Sequence, residues 1–85
     1  MKQQMKIKAG EYVLNSINTY IDTNGNYASV IRCNSGENNF AFLRVTQEGV
    51  VLSLKGFKNE SSAFKALNKQ ALKEDWKLFD TIDID

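Results

Sequence analysis

Three polar turns, each carrying a glycine, divide the middle of this chain into segments too short for anything but strands. Asn24-Gly25 lies between Tyr20-Ile21 and Tyr27-Ala28. Asn34-Ser35-Gly36-Glu37 separates Tyr27–Cys33 from Asn39–Val45, and Thr46-Gln47-Glu48-Gly49 precedes Val50–Lys55. Asn-Gly is the strongest short hairpin signal, because both positions accept the positive φ of a type I′ turn. The expected result is a four-stranded antiparallel meander.

A two-residue loop at Asn24-Gly25 pairs Ile21 with Ala28 and Tyr20 with Ser29. Pairing Val45 with Val50 across the third turn puts Leu43 beside Leu52 and Ala41 beside Leu54. Alternation then sorts the side chains. One face receives Val13, Ile17, Ile21, Val30, Leu43, Val45, Val50, Leu52 and Leu54. The other receives Tyr12, Tyr20, Tyr27, Phe40, Phe42 and Val51 among Ser29, Arg44, Ser53 and Lys55. A one-residue slip at the second turn would exchange the faces of everything downstream.

Residues 11–21 also fit a helical spacing through Val13, Ile17, Tyr20 and Ile21, with Asn24-Gly25 as a helix stop. Their β-branched content and the tight hairpin favour a strand. After Gly56-Phe57, Asn59 or Ser61 can cap a helix whose apolar stripe is Phe64, Leu67 and Ala71, with Ala63 beside it and Glu60 near the positive dipole end. Trp76, Leu78, Phe79, Ile82 and Ile84 are too apolar for a loose tail; they pack under the helix or add a short edge strand, with Asp80 and Asp83 facing water. At 85 residues there is room for one core. The expected organisation is a single α+β domain over 1–85: a flexible basic terminus (1–9), a sheet (10–56), a helix (59–73) packed on one face and an apolar tail (76–85).

Ordinary catalysis finds little support. Without histidine the commonest general base is missing, and no neighbour activates a nucleophile. Cys33, the single cysteine, excludes an internal disulfide and reads as a packing residue. Asp80, Asp83 and Asp85 lack the glycine and distal glutamate of a calcium loop, and no glycine-rich phosphate loop occurs. No enzyme activity, metal or cofactor is expected. No apolar run suggests a signal peptide or a membrane span, so a cytoplasmic protein is expected.

Function should therefore lie in binding. The helix is expected on the aliphatic face, which leaves the aromatic face open with Tyr20, Tyr27, Phe40, Phe42, Arg44 and Lys55 as partner-binding residues, a composition enriched in interface hot spots. A protein partner is the first expectation, docked on that face or on an open sheet edge. Nucleic acid is the second, through Lys58, Lys65, Lys69 and Lys73 around exposed aromatics, although a net charge of +1 gives no general basic coat. A homodimer closing the open face is the third.

The stretch VVLSLKGFKNESSAFKALNKQAL, from Val50 to Leu72, resembles the last strand and helix of small three-stranded-sheet-plus-helix DNA-binding domains of the integrase arm-binding type. The resemblance implies that Phe57 follows the last strand, Asn59 opens the helix, and Ala63, Ala66 and Ala71 face the sheet. Those families read the major groove with an Arg- and Trp-rich sheet, where this chain has only Arg32 and Arg44. The same segment is similar to the end of a double-stranded-RNA-binding domain, with Asn59-Glu60-Ser61-Ser62 in place of its basic cluster. In size, near-neutral charge, lack of catalytic residues and Asn/Lys-rich composition the chain is also similar to small phage proteins that inhibit host defence enzymes by binding, such as anti-CRISPR proteins, a class without a common motif.

Overall fold

The computed structural model describes residues 6–79. Among them the order is β1 (Lys6–Ala9), β2 (Tyr12–Asn15), a 3₁₀ turn (Ser16–Asn18), β3 (Tyr20–Ile21), β4 (Tyr27–Ser35), β5 (Asn38–Val45), β6 (Val51–Phe57), α1 (Glu60–Glu74) and β7 (Lys77–Leu78). Five strands form one antiparallel sheet in the order β6-β5-β4-β3-β7, while β1 and β2 pair only with each other. The α+β class holds, but the expected count of four strands becomes five plus a separate hairpin.

The turns explain most of the differences in register. Asp22 N–H donates to the Asn26 carbonyl and Gly25 N–H to the Asp22 carbonyl, and of the loop residues only Gly25 has positive φ, at 83°. This is a three-residue loop ending in a left-handed glycine, not a type I′ turn. Its cause is Asp22, whose Oδ1 accepts from the N–H groups of Asn24 (2.8 Å) and Asn26 (2.9 Å); a short acidic side chain at a turn start favours this geometry. The extra residue sets Ile21 opposite Tyr27 and Tyr20 opposite Ala28. Tyr27 and Val30 therefore lie on the faces opposite to those expected.

Thr46 repeats the device, its N–H donating to the Val50 carbonyl and its Oγ1 accepting from Val50 N–H, with Gly49 at φ 98°. That one-residue displacement is followed by a second, a bulge between Arg44 and Val45 that sets Val51 and Ser53 opposite successive residues of β5. Two displacements restore the parity. Leu43 faces Leu54 rather than Leu52, yet both remain on the expected side.

Each face of the sheet is covered, and not by the elements expected. The β1–β2 hairpin lies on the aliphatic face, where Ile7, Ala9 and Leu14 join Leu43 and Val45 in a buried cluster edged by Tyr12, Tyr27, Ile31 and Phe79. Residues 6–9, expected as part of a flexible terminus, are thus a strand, because Ile7 and Ala9 alternate with Lys6 and Lys8 and turn inward. The expected first strand over 11–21 is broken into β2, the 3₁₀ turn and β3. Leu14 is its inward residue, whereas Val13 and Ile17 are exposed.

The helix lies on the aromatic face, against β5, β4 and β6. Asn59 caps it by accepting from Ser62 N–H at 2.9 Å, and Asp75, in the left-handed region at φ 60°, ends it. Its buried stripe, Ala63, Leu67 and Ala71, repeats every four residues, as one face of a helix does. Small residues at both ends of the stripe, and the fully buried Ala28 in the sheet, let helix and sheet approach closely. The tail contributes β7, whose Leu78 pairs with Tyr20; the expectations for Ile82, Ile84, Asp80, Asp83 and Asp85 fall outside the described residues.

The hairpin reaches the core through one close crossing. A Cβ built on Gly10 would lie 2.6 Å from the Glu48 carbonyl oxygen and 2.7 Å from Gly49 Cα, and one on Gly49 would lie 2.6 Å from Gly10 Cα. Gly36, also at positive φ, has nothing within 4 Å of such an atom. Gly10→Ala is expected to lower the unfolding free energy by about 2–4 kcal/mol, from a left-handed alanine plus a backbone collision. Gly36→Ala should cost about 1–2 kcal/mol, from conformation alone. Urea denaturation of the two variants measures the difference, and equal losses would show that the crossing is not tight.

Candidate interaction surfaces

Of the aromatic side chains expected on an open face, Tyr20 and Phe42 meet the helix and its end. The Tyr20 hydroxyl donates to Asn68 Oδ1 at 3.0 Å, and the Phe42 ring meets Trp76 edge-on, 6.5 Å between centroids. The Arg44 guanidinium lies 4.8 Å from the centre of the Trp76 ring, Arg32 is 5.6 Å from that of Phe40 and the Lys55 ammonium 5.5 Å from that of Phe57. Register places Tyr20, Phe40, Phe42, Arg44 and Lys55 on this one face. Tyr27 is on the other, edge-on to Phe79 at 6.2 Å. The expectation that the helix covers the aliphatic face is thereby overturned: Ala28 gives the helix a shallow place to sit, while the aliphatic face is filled by the hairpin.

Arg44 is further committed by an ion pair with Asp22, which sequence reasoning missed because the partners are 22 residues apart and only the three-residue loop brings them together. Burial pushes the Asp22 carboxyl up. The N–H groups of Asn26 and Asn24 and the Arg44 guanidinium outweigh that and hold it below its ordinary value of 3.8. One carboxylate so organises the β3–β4 turn, anchors β5 and fixes the guanidinium beneath Trp76, where cation and ring attract.

Lys58, Lys65, Lys69 and Lys73 are all exposed; the last three lie on the side of α1 away from its buried stripe, and Lys58 precedes the helix cap. Cys33 is half-buried, its Sγ 3.6 Å from the Asn38 carbonyl oxygen. Among the described residues no cluster of His, Cys, Asp or Glu is arranged to hold a metal ion, and no helix is long and apolar enough to cross a membrane.

Among the described residues Val13, Ile17 and Leu72 are exposed singly, and the one run of exposed apolar side chains is at β6, the edge strand of the main sheet. Leu54 is 57% exposed, Leu52 48%, Val51 41% and Val50, just before the strand, 60%. Scattered exposed apolar residues are ordinary, but these four are consecutive or alternate on one edge. The β1–β2 hairpin covers Leu43 and Val45 and stops short of them, because its tip is held at Gly49.

Phe42→Asp is expected to destabilise the fold by about 3 kcal/mol or more, since it places a carboxylate between helix and sheet; an unchanged denaturation midpoint would contradict the helix position. Asp22→Asn should cost about 1–2 kcal/mol at pH 7, from loss of charge in its hydrogen bonds. Because the folded carboxyl titrates below its unfolded value, that stability is complete above the unfolded pKa and is lost as pH falls through the folded one. The gap between wild type and variant should therefore narrow below about pH 3.8. Denaturation midpoints from pH 2 to 7 measure it, and a constant gap would deny the charge its role.

No family model, no curated protein and no solved structure matches this chain.

Proposed function

We propose that this chain is a non-catalytic binding protein that docks on a protein partner through the open β6 edge of its main sheet. The carrying observation is the row of Val51, Leu52 and Leu54, exposed along one edge strand while the hairpin buries Leu43 and Val45 on one face of the sheet and the helix packs on the other. A contiguous apolar row of this kind suits side-chain docking by a partner. Indiscriminate pairing of main chains is opposed by two features of the same edge, the bulge near Val51 and the charge of Lys55, so specificity would come from fitted side chains. A stoichiometric inhibitor that covers a site on an enzyme is the concrete form of this reading. Helix lysines and nucleic acid give the competing form, weakened by the commitment of Arg44 to Asp22.

Leu52→Asp and Leu54→Asp change exposed side chains and should leave the fold intact. In an affinity pull-down with the tagged chain, run with and without nuclease, a protein partner is expected that survives nuclease and is lost with either variant, a drop of about tenfold or more in affinity. Capture that persists in both variants overturns the β6 reading. Recovery of nucleic acid that falls away with rising salt and with Lys65→Glu and Lys69→Glu would assign the helix face instead. A mass in solution of twice the chain, reverting with Leu54→Asp, would assign the edge to a second copy.

A further inference from the structure

The main sheet is flanked by the hairpin on one face and the helix on the other, and in one place the middle layer lacks a strand. β4 runs for nine residues, but β3 pairs only with Tyr27 and Ala28. Beyond that point the chain before β3 leaves the sheet as the 3₁₀ turn Ser16–Asn18, held there by Thr19 Oγ1 donating to the Asn15 carbonyl at 2.7 Å. The slot so created is a cleft of about 810 Å³, with Tyr12 and Leu14 on the hairpin wall, Phe64 on the helix wall, and Val30, Ile31 and Arg32 of β4 as its floor.

The main chain on that floor has a defined polarity. Asp22 N–H bonded to the Asn26 carbonyl fixes which residues of β4 point their polar groups toward β3. In an antiparallel ladder these alternate, so Ala28, Val30 and Arg32 face that side, while Tyr27, Ser29 and Ile31 bond to β5. Ala28 is paired by Tyr20. The N–H and C=O groups of Val30 and Arg32 point into the slot, beyond the end of the pairing with β3.

We infer that this slot binds an extended peptide segment of a partner protein, which adds to β4 as the missing strand. Two donors and two acceptors two residues apart match the repeat of a strand and of little else. The walls would receive its alternate side chains, one set toward Tyr12 and Leu14 and the other toward Phe64, so both sets should be apolar. Lys6 and Arg32 are offset by Glu11 and Glu60 around the same cleft, so no strong preference for peptide charge is expected. The volume is within the range of about 300–1,000 Å³ common to ligand clefts. This site is separate from the β6 edge and does not depend on it.

A phage-displayed library of random linear dodecapeptides, selected on the full chain, tests the inference. Peptides with apolar residues at alternate positions are expected to enrich, and the best synthetic one should slow hydrogen exchange at the amides of Val30 and Arg32 without changing those of β6. N-methylation at alternate amides of that peptide should weaken binding about tenfold in one phase and little in the other, since only one set faces β4. Arg32→Pro removes an N–H that points into the slot and none that bonds to β5, and should weaken binding similarly while retaining the far-ultraviolet spectrum. Leu54→Asp should bind the peptide normally, which separates this site from the docking edge. No enrichment, protection at β6 instead of β4, or equal tolerance of N-methylation in both phases would overturn the inference. So would slow exchange at Val30 and Arg32 in the free chain, which would mean that its own residues or a second copy already fill the slot.

Discussion

The contact on which this architecture rests is the crossing of two turns, Gly10 over Gly49. Leu43 and Val45 belong to the aliphatic face of the sheet, and among the described residues it is the amino-terminal hairpin, edged by Phe79, that covers them. The hairpin can lie flat because the two backbones pass with no Cβ between them. Both residues are also at positive φ, 61° and 98°, so each position asks twice for glycine. Without the crossing the hairpin would have to lift or shift, and Ile7, Ala9 and Leu14 would lose the surface they bury. The same crossing limits how far the hairpin extends, which is why β6 remains uncovered.

Much of the sheet was legible in the sequence because alternation is insensitive to even shifts. Leu43, Val45 and Leu54 fell on one face although their partners were misassigned, since a displaced turn and a bulge moved the register by two residues together. Tyr27 and Val30 fell on the wrong faces because β4 is displaced at both of its ends, by one residue at the Asp22 loop and again at the bulge between Arg32 and Ser35, the second of which restores the faces of the strands that follow. The signal that could have corrected this was the aspartate before Thr23-Asn24-Gly25, whose carboxylate offers the turn's amides an acceptor. The β1–β2 hairpin was also open to view, in Ile7 and Ala9 alternating with lysines ahead of Gly10-Glu11. What local pattern did not carry was the choice of helix face. That choice depends on what covers the opposite face: the aliphatic face is taken by Ile7, Ala9 and Leu14 of the hairpin, which leaves the other for the helix.

The candidate surfaces follow from the same geometry. Tyr20 and Phe42, which read as part of a binding face, proved to meet the helix and its end, and the apolar side chains of β6 that read as core proved to be exposed. Hydrophobic patterning identifies which residues share a face, but not which face acquires a cover, because covering elements come from distant parts of the chain. The gap beside β4 has the same origin. It arises where the Thr19 hydroxyl meets the Asn15 carbonyl and the Ser29 hydroxyl and the chain turns as a 3₁₀ segment instead of running along β4, side-chain hydrogen bonds that no periodicity announces.

Trp76 is the single tryptophan of the chain, and it sits where α1 ends, against Phe42 and over Arg44. Its indole is thus an optical gauge of one half of the molecule. Emission from it responds to the seating of the helix end on the sheet and to the guanidinium beneath it, while the hairpin layer on the opposite face carries no indole of its own among the described residues. Tyr12 and Tyr27, by contrast, border the hairpin core. Excitation at the red edge, where only the indole absorbs, would therefore follow the helix layer alone during unfolding, and comparison with the loss of backbone signal would show whether the two layers part together or in turn.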